Sequence, residues 1–246
     1  AVRRKESVSR RIFVVCNYFL CIFAGLLCLL PLVHVLSVSL SSKLAVFSGN
    51  VTFWPVDATL DNYRFAMRDS QFFRAYGVTL VRVAIGWAIS MTLLVLAGYP
   101  LSLPRDRFGG KNIFTWFFVF TMLFNGGMIP TYLIVKSTGL IDTIWALVIP
   151  GSLSAFNLIL MMNYFKTLPS ALYEAAYIDG ADHMTTLIKI VLPLSLPALA
   201  SISLFVIMGH WNDYFSGMIY IRNPDLKPLQ TYLRSVIIVE PSASDA

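Results

Sequence analysis

Glu174, Ala175 and Ala176 stand side by side in the most informative stretch of the chain, between Pro169 and Pro193. A carboxylate next to two residues with almost no side chain suits recognition better than catalysis. Small residues let a helix backbone approach a partner closely, and the carboxylate can pair with a basic group there. The same residues also suit an ordinary amphipathic connector on a membrane surface, and spacing alone leaves both readings open. Bond-making chemistry has no comparable candidate. His34, His183 and His210 are dispersed along the chain, and no HExxH or nucleophile motif accompanies them. Gly109-Gly-Lys111 lacks the spacing and the hydroxyl residue of a phosphate-binding loop. Cys16, Cys21 and Cys28 share one apolar stretch without a CxxC spacing. They suit apolar packing better than a metal site.

A second group of residues could handle a polar cargo. Asn125, Asn157, Asn163 and Trp145 lie in or near apolar segments. Amides can exchange hydrogen bonds with hydroxyls, and an indole offers a flat apolar face. Asn also ties membrane helices to one another, so both roles stand. Arg82 lies inside an apolar segment, where a charge is costly. It is expected to snorkel out of the bilayer or to pair across a subunit interface. His210, Trp211, Asn212 and Asp213 follow the last apolar segment and are expected to anchor the outer interface or gate it.

The elements that hold these residues are dictated by the solvent. Charged residues make up 13% of the chain and apolar residues 57%, against about 25% charged in a soluble domain. No Asp, Glu, Lys or Arg occurs from Ile12 to Ser42, longer than the roughly 20 residues that cross a bilayer as a helix. A signal peptide would have a shorter apolar stretch and a cleavage site. Further apolar segments run over 72–103, 113–135, 141–165 and 190–208, giving five expected spans. Arg3, Arg4, Lys5, Arg10 and Arg11 precede the first span and place the N-terminus in the cytoplasm. Alternation then puts 43–71 and 136–140 outside, and the basic turn 105–111 and residues 166–189 inside. The net charge of +6 therefore reflects membrane orientation. The scattered cations lack the aromatic or Gly-rich context of a nucleic-acid surface. Residues 125–130 and Pro150-Gly151 interrupt spans three and four. Such breaks can line a pathway, or reflect the frequency of Gly and Pro in membrane helices.

The stretch from Pro169 also has clear punctuation. Pro169 suits a helix start, Gly180 suits its C-terminal stop, and Asp182 can cap a second short helix ending near Pro193. The pattern predicts helix, turn and helix on the cytoplasmic face.

Glu-Ala-Ala, three residues, Gly, nine residues and Ile-x-Leu-Pro resembles the EAA signature of ABC-importer permeases. Glu174, Ala175, Ala176, Gly180, Ile190, Leu192 and Pro193 fill its positions. The resemblance implies an all-α, polytopic transmembrane bundle of the type I importer kind, one permease domain over residues 1–246. It makes 166–193 the cytoplasmic coupling segment and 43–71 an external loop. In that family the segment docks in a cleft of an ATPase subunit, a role carried here to those residues and to Asp179. The resemblance further implies a bacterial inner-membrane location and a second, homologous permease subunit. It also implies two ATPase subunits that bind ATP and Mg, an external solute-binding protein and an oligosaccharide cargo. The chain itself would hold no cofactor and catalyse nothing. Phe53-Trp-Pro55, Leu60-Asp-Asn-Tyr63 and 97–102 are similar to the second permease of maltose-type importers. Residues 124–132 and 210–214 look closest to the polysaccharide and alginate-oligosaccharide subgroup. Such permeases have a sixth helix; the last apolar run here is short and interrupted by Arg234, so that helix is expected to lie outside this sequence. An ion-coupled carrier or channel subunit is the alternative, but it would normally place a carboxylate within the membrane interior.

Overall fold

The computed structural model describes residues 8–238, so Arg3, Arg4, Lys5 and the tail after Ile238 lie outside the described residues. Every regular element among them is helical. By its internal contacts the chain falls into two compact units, divided after Ser70.

The first unit holds α1 (Val8–Ser39), α2 (Lys43–Phe47) and α3 (Asp61–Arg68). Apolar side chains of α1 face outward along most of its length, including Phe13 and Phe19. A helix that is apolar all round and unshielded by its own chain needs lipid or another helix around it. The connection after it is tied down by hydrogen bonds. His34 Nδ1 lies 2.7 Å from the Thr52 carbonyl, and Ser37 Oγ donates to the Phe53 carbonyl at 2.6 Å. Asn62 Nδ2 donates to the carbonyls of Ser39 and Ser41 at 3.1 and 3.0 Å. The expected external loop is thus a folded cap on the end of α1.

The second unit begins with α4 (Ser70–Ser102). Its buried residues include Thr79, Arg82, Gly86, Ser90, Leu94 and Gly98, three to four positions apart. That spacing keeps them on one helical face. Next come α5 (Lys111–Leu123) and α6 (Met128–Ser137), then α7 (Ile144–Val148), a 3₁₀ turn Ile149–Gly151 and α8 (Ala155–Thr167). The segment α9 (Ser170–Ile178) leads to α10 (His183–Thr186), a π-helical stretch Leu187–Val191 and α11 (Leu192–Leu194). The order ends with α12 (Leu196–Asn212), α13 (Phe215–Tyr220), a 3₁₀ turn Pro224–Leu226 and α14 (Leu229–Ile238). The core joins α4, α8, the π stretch and α12 through Leu94, Leu158, Met161, Phe165, Val191 and Val206.

Among the described residues, α1 and α4 are the helices long and apolar enough to cross a membrane singly; counting each of three bent pairs as one span gives up to five. Between α5 and α6 the bend is 115°. It falls at Asn125-Gly-Gly127, where Gly127 has φ +86° and its N–H donates to Asn125 Oδ1 at 2.8 Å. The α7–α8 bend of 50° follows Pro150-Gly151. A third bend, 83° at Ser195, interrupts the run expected to be straight over 190–208. Pro197 has no N–H, and its ring conflicts with the carbonyl four residues back, which breaks the ladder there.

Chain ends gather as alternation requires. Gln71 Nε2 donates to the Pro224 carbonyl at 2.7 Å, Arg74 pairs with Asp225 at 2.6 Å, and Asp142 Oδ1 accepts from the Arg222 and Asn223 amides. Arg107, in the opposite set of connections, stacks 4.0 Å over the Tyr177 ring.

Candidate functional site

The expected coupling segment is a discrete helix with a defined start and stop. Pro169 is its N-cap residue, and α9 follows at once. At the other end Gly180 adopts φ +75°. Its N–H bonds the Tyr177 carbonyl at 3.0 Å while the Ala181 N–H reaches the Ala176 carbonyl at 2.9 Å. This pair of bonds is the Schellman arrangement that closes a helix on a left-handed residue. Asp182 then caps α10, its Oδ1 accepting from the Thr185 N–H at 2.9 Å. Hydrogen bonds from Thr185, first its side chain and then its backbone N–H, hold the Asp182 carboxyl below the usual carboxylate range.

The two sides of α9 differ. Ala171, Glu174, Ala175 and Ile178 are exposed, at spacing i, i+3, i+4 and i+7, with Ile178 86% open. This stripe is one helical face. Leu172, Tyr173 and Tyr177 are half-buried and Ala176 is only 4% exposed. Tyr173 Oη donates to the Phe165 carbonyl at 3.4 Å, and burial pushes its phenol up from its ordinary value. The two alanines therefore part company. Ala175 and Glu174 look outward, whereas Ala176 lets α9 pack closely on its own subunit, contrary to the expectation that both face a partner.

Asp179 and Gly180 are exposed beside this stripe, but Ile190, Leu192 and Pro193 are elsewhere. Ile190 lies in the π stretch, and Leu192 and Pro193 form the turn before the Ser195 bend. π-Helical turns recur at functional sites. The signature thus divides into an exposed face and a bent segment at the start of the fifth span.

Deeper in the second unit, a cavity of about 510 Å³ is bounded by α4, α7, α8, α12 and α13. Its polar lining includes Arg82, Ser90, Asn157, His210, Asp213 and Ser216. Arg82 Nη1 donates to the Asp213 carbonyl at 2.8 Å and Nη2 to the Asp213 carboxylate. Asp213 Oδ1 also accepts from the Ser216 N–H at 3.1 Å. Arg82 is 1% exposed, so it neither snorkels nor waits for a partner across a subunit interface. Asp213 of the same chain neutralises it. His210 lies against Gly86, where an added Cβ would come within 2.5 Å of its Nε2. Arg82 Nε and Ser90 Oγ are buried without a hydrogen-bond partner. Polar atoms in such a place fit a path for a hydroxyl-rich molecule.

Of the four expected pathway residues, only Asn157 lines this cavity. Asn125 spends its side-chain oxygen on the α5–α6 break, and Asn163 and Trp145 are exposed on their helices. Asn125, Asn163 and Trp145 lie away from this cavity. Their helices carry them on other faces, which segment position does not reveal. Trp211 packs edge-on against Tyr76, with ring centroids 6.1 Å apart.

Residues 110–238 match the family described as "Binding-protein-dependent transport system inner membrane component", a range that holds the α9 segment and four of the five walls of the cavity. The chain belongs to that family. This permease is 42% identical over 232 residues to the Polygalacturonan/rhamnogalacturonan transport system permease protein YtcP of Bacillus subtilis (strain 168), covering 94% of this chain and 80% of that protein. It is 30% identical over 245 residues to the Maltodextrin transport system permease protein MdxG of the same strain, covering 94% and 83%. Its structure is similar to one chain of a bacterial ABC transporter involved in the import of the acidic polysaccharide alginate. That similarity has a TM-score of 0.87 at 37% identity, covering 96% of this chain and 83% of the other. The permease is accordingly a non-catalytic, multi-pass inner-membrane subunit of an ABC transport complex.

Several residues of the permease escape a reading of its sequence. Asp213 as the partner of Arg82, 131 positions away, carries no local signal. Ile178 has one, because it completes the helical stripe begun by Ala171 and Glu174. Gly86, a glycine in a helix interior, marks the close approach of His210.

Proposed function

We propose that this permease imports an oligosaccharide, lining half of its route through the membrane, and that nucleotide-driven motion enters through α9. The observation that carries the reading is the exposed stripe of Ala171, Glu174, Ala175 and Ile178 on a short helix that stops at a left-handed glycine. A short rigid helix with one carboxylate, two small residues and one protruding aliphatic suits insertion into a groove bearing a basic group. ATP and Mg are held by two separate ATPase subunits that grip this helix. A second, homologous permease subunit forms the other half of the route, and an external solute-binding protein delivers the cargo. The N-terminus lies in the cytoplasm, supported by the basic residues before α1. The named relatives all serve polysaccharide-derived cargoes. The cavity beside Arg82 and Asp213 supplies hydroxyl, amide and imidazole groups of the kind that exchange hydrogen bonds with sugars. Closing and opening of the ATPase pair would rock the bundle between inward- and outward-facing states.

Co-purification tests this reading. Glu174→Arg reverses the charge of the exposed stripe, and Gly180→Pro cannot adopt the φ of +75°. Both variants are expected to release the ATPase subunits while the membrane part stays folded. Retention of the ATPase with normal transport would contradict the docking role.

A further inference from the structure

The covalent chain connects α9 to only two spans. It joins α8 through Leu168-Pro169 and the fifth span through Gly180–Asp182. Nothing in that connectivity carries motion into α4, the longest helix of the second unit and the one that supplies Arg82 and Ser90 to the cavity. A side-chain route does reach it. Tyr177 Oη lies 3.0 Å from His183 Nδ1 and 3.3 Å from its Nε2, and Tyr99 Oη lies 3.3 Å from the same Nδ1. One imidazole is therefore within reach of a hydroxyl from α9 and a hydroxyl from the end of α4, both at Nδ1. Both phenol rings meet it edge-on, at centroid distances of 5.6 and 6.1 Å. Arg107, from the turn between α4 and α5, braces Tyr177 from its face at 4.0 Å.

We propose that Tyr177, His183 and Tyr99 form a strut that makes α9 and the cytoplasmic end of α4 move together, with Arg107 as its brace. The inference rests on the docking role of α9 given above. Three features support it. Tyr177 lies on the inner side of α9, away from the exposed stripe, so a docked partner leaves it free to act inward. Tyr99 is 5% exposed and part of the core, so a displacement delivered to its hydroxyl is delivered to the helix. An open cleft of about 340 Å³ borders the strut, between Tyr99, Leu103 and Phe108 on one side and His183, Met184 and Leu187 on the other. Leu103 and Leu187 also share the buried core, so the polar bridge acts alongside apolar packing. These are positioning residues: they touch no cargo and no nucleotide.

The test uses the complete transport complex, with Cys16, Cys21 and Cys28 replaced by alanine. Spin labels are placed at Leu96→Cys on α4 and Ala171→Cys on α9, and distances are recorded without nucleotide and with ATP plus vanadate. With the strut intact, the distance between these labels is expected to stay the same in both states. Tyr177→Phe and Tyr99→Phe each delete one hydroxyl oxygen, and His183→Leu removes the bridge. In these variants the distance is expected to broaden and to shift by about 2 Å or more between nucleotide states, while the ATPase subunits still co-purify. His183→Gln, which keeps a hydrogen-bonding group, is expected to restore the common motion. The inference is overturned if the two labels already move apart with nucleotide in the unaltered complex, or if the strut variants leave the distance unchanged. Loss of the ATPase subunits from the Tyr→Phe variants would also overturn it, because the cluster would then serve docking. Retention of the ATPase by Glu174→Arg would instead remove the docking role, so the two failures are distinguishable.

Discussion

Gly86 and Arg82 lie one turn apart on α4, and both face α12 through groups that tolerate little change. Gly86→Ala would place a Cβ 2.5 Å from His210 Nε2, and overpacking of this kind costs about 1–3 kcal/mol. The expected outcome is a lower unfolding temperature of the detergent-purified complex, with full recovery in Gly86→Ala/His210→Ala. Arg82→Leu strands the Asp213 carboxylate, and breaking a buried pair from one side costs about 3–5 kcal/mol. The double variant Arg82→Leu/Asp213→Leu removes both charges and is expected to regain most of that stability in the same assay. If the single and double variants unfold alike, the pair is not what neutralises Arg82. At this scale the sequence was partly legible. A lone Arg in an apolar run announces a special environment, but its partner is 131 positions distant and no periodicity links them. Residue type suggests what a side chain could do, whereas the helix face on which it falls decides what it meets.

The elements around the coupling segment were more legible, because their signals are local. Pro169, Gly180 and Asp182 each act on backbone within a few residues, and each marks a boundary observed in the structure. Gly180→Ala keeps the chemistry of the exposed stripe but forces an L-residue into the left-handed region, at about 1–2 kcal/mol. Faster amide exchange at Ala181, whose N–H closes α9 onto Ala176, is the expected consequence. Asp182 gives a pH dependence of defined sign. Its carboxyl titrates below the ordinary range, so the cap of α10 is present at neutral pH and is lost as pH falls through that lowered value. Exchange at the Thr185 amide should therefore accelerate only in acid, over its intrinsic rate, and Asp182→Asn should abolish the pH dependence. Less legible were the bend at Ser195 and the inward turn of Ala176. An apolar run reads as one span unless the clash of Pro197 with the preceding turn is taken into account. The two alanines are chemically identical neighbours, yet about 100° of helical rotation separates their roles.

For the molecule as a whole, alternation of charge carried the topology. The connections expected inside, 105–111 and 166–189, meet at Arg107 and Tyr177, while Arg74 meets Asp225 and Asp142 meets Arg222 in a separate group. The cavity and α9 thus belong to opposite reaches of one bundle, joined by α4, α8 and the bent fifth span. Such an arrangement lets a push at one end reshape a polar chamber further along, provided that the push arrives at α9. Photo-cross-linking from Ile178 in the assembled complex tests that condition most directly. A photoreactive maleimide on Ile178→Cys, with Cys16, Cys21 and Cys28 replaced by alanine, should couple to an ATPase subunit. Its yield should change on addition of ATP, and the thiol should be reached from the cytoplasmic side of the membrane. Coupling to the external binding protein, or a thiol reached only from the outer side, would contradict the account.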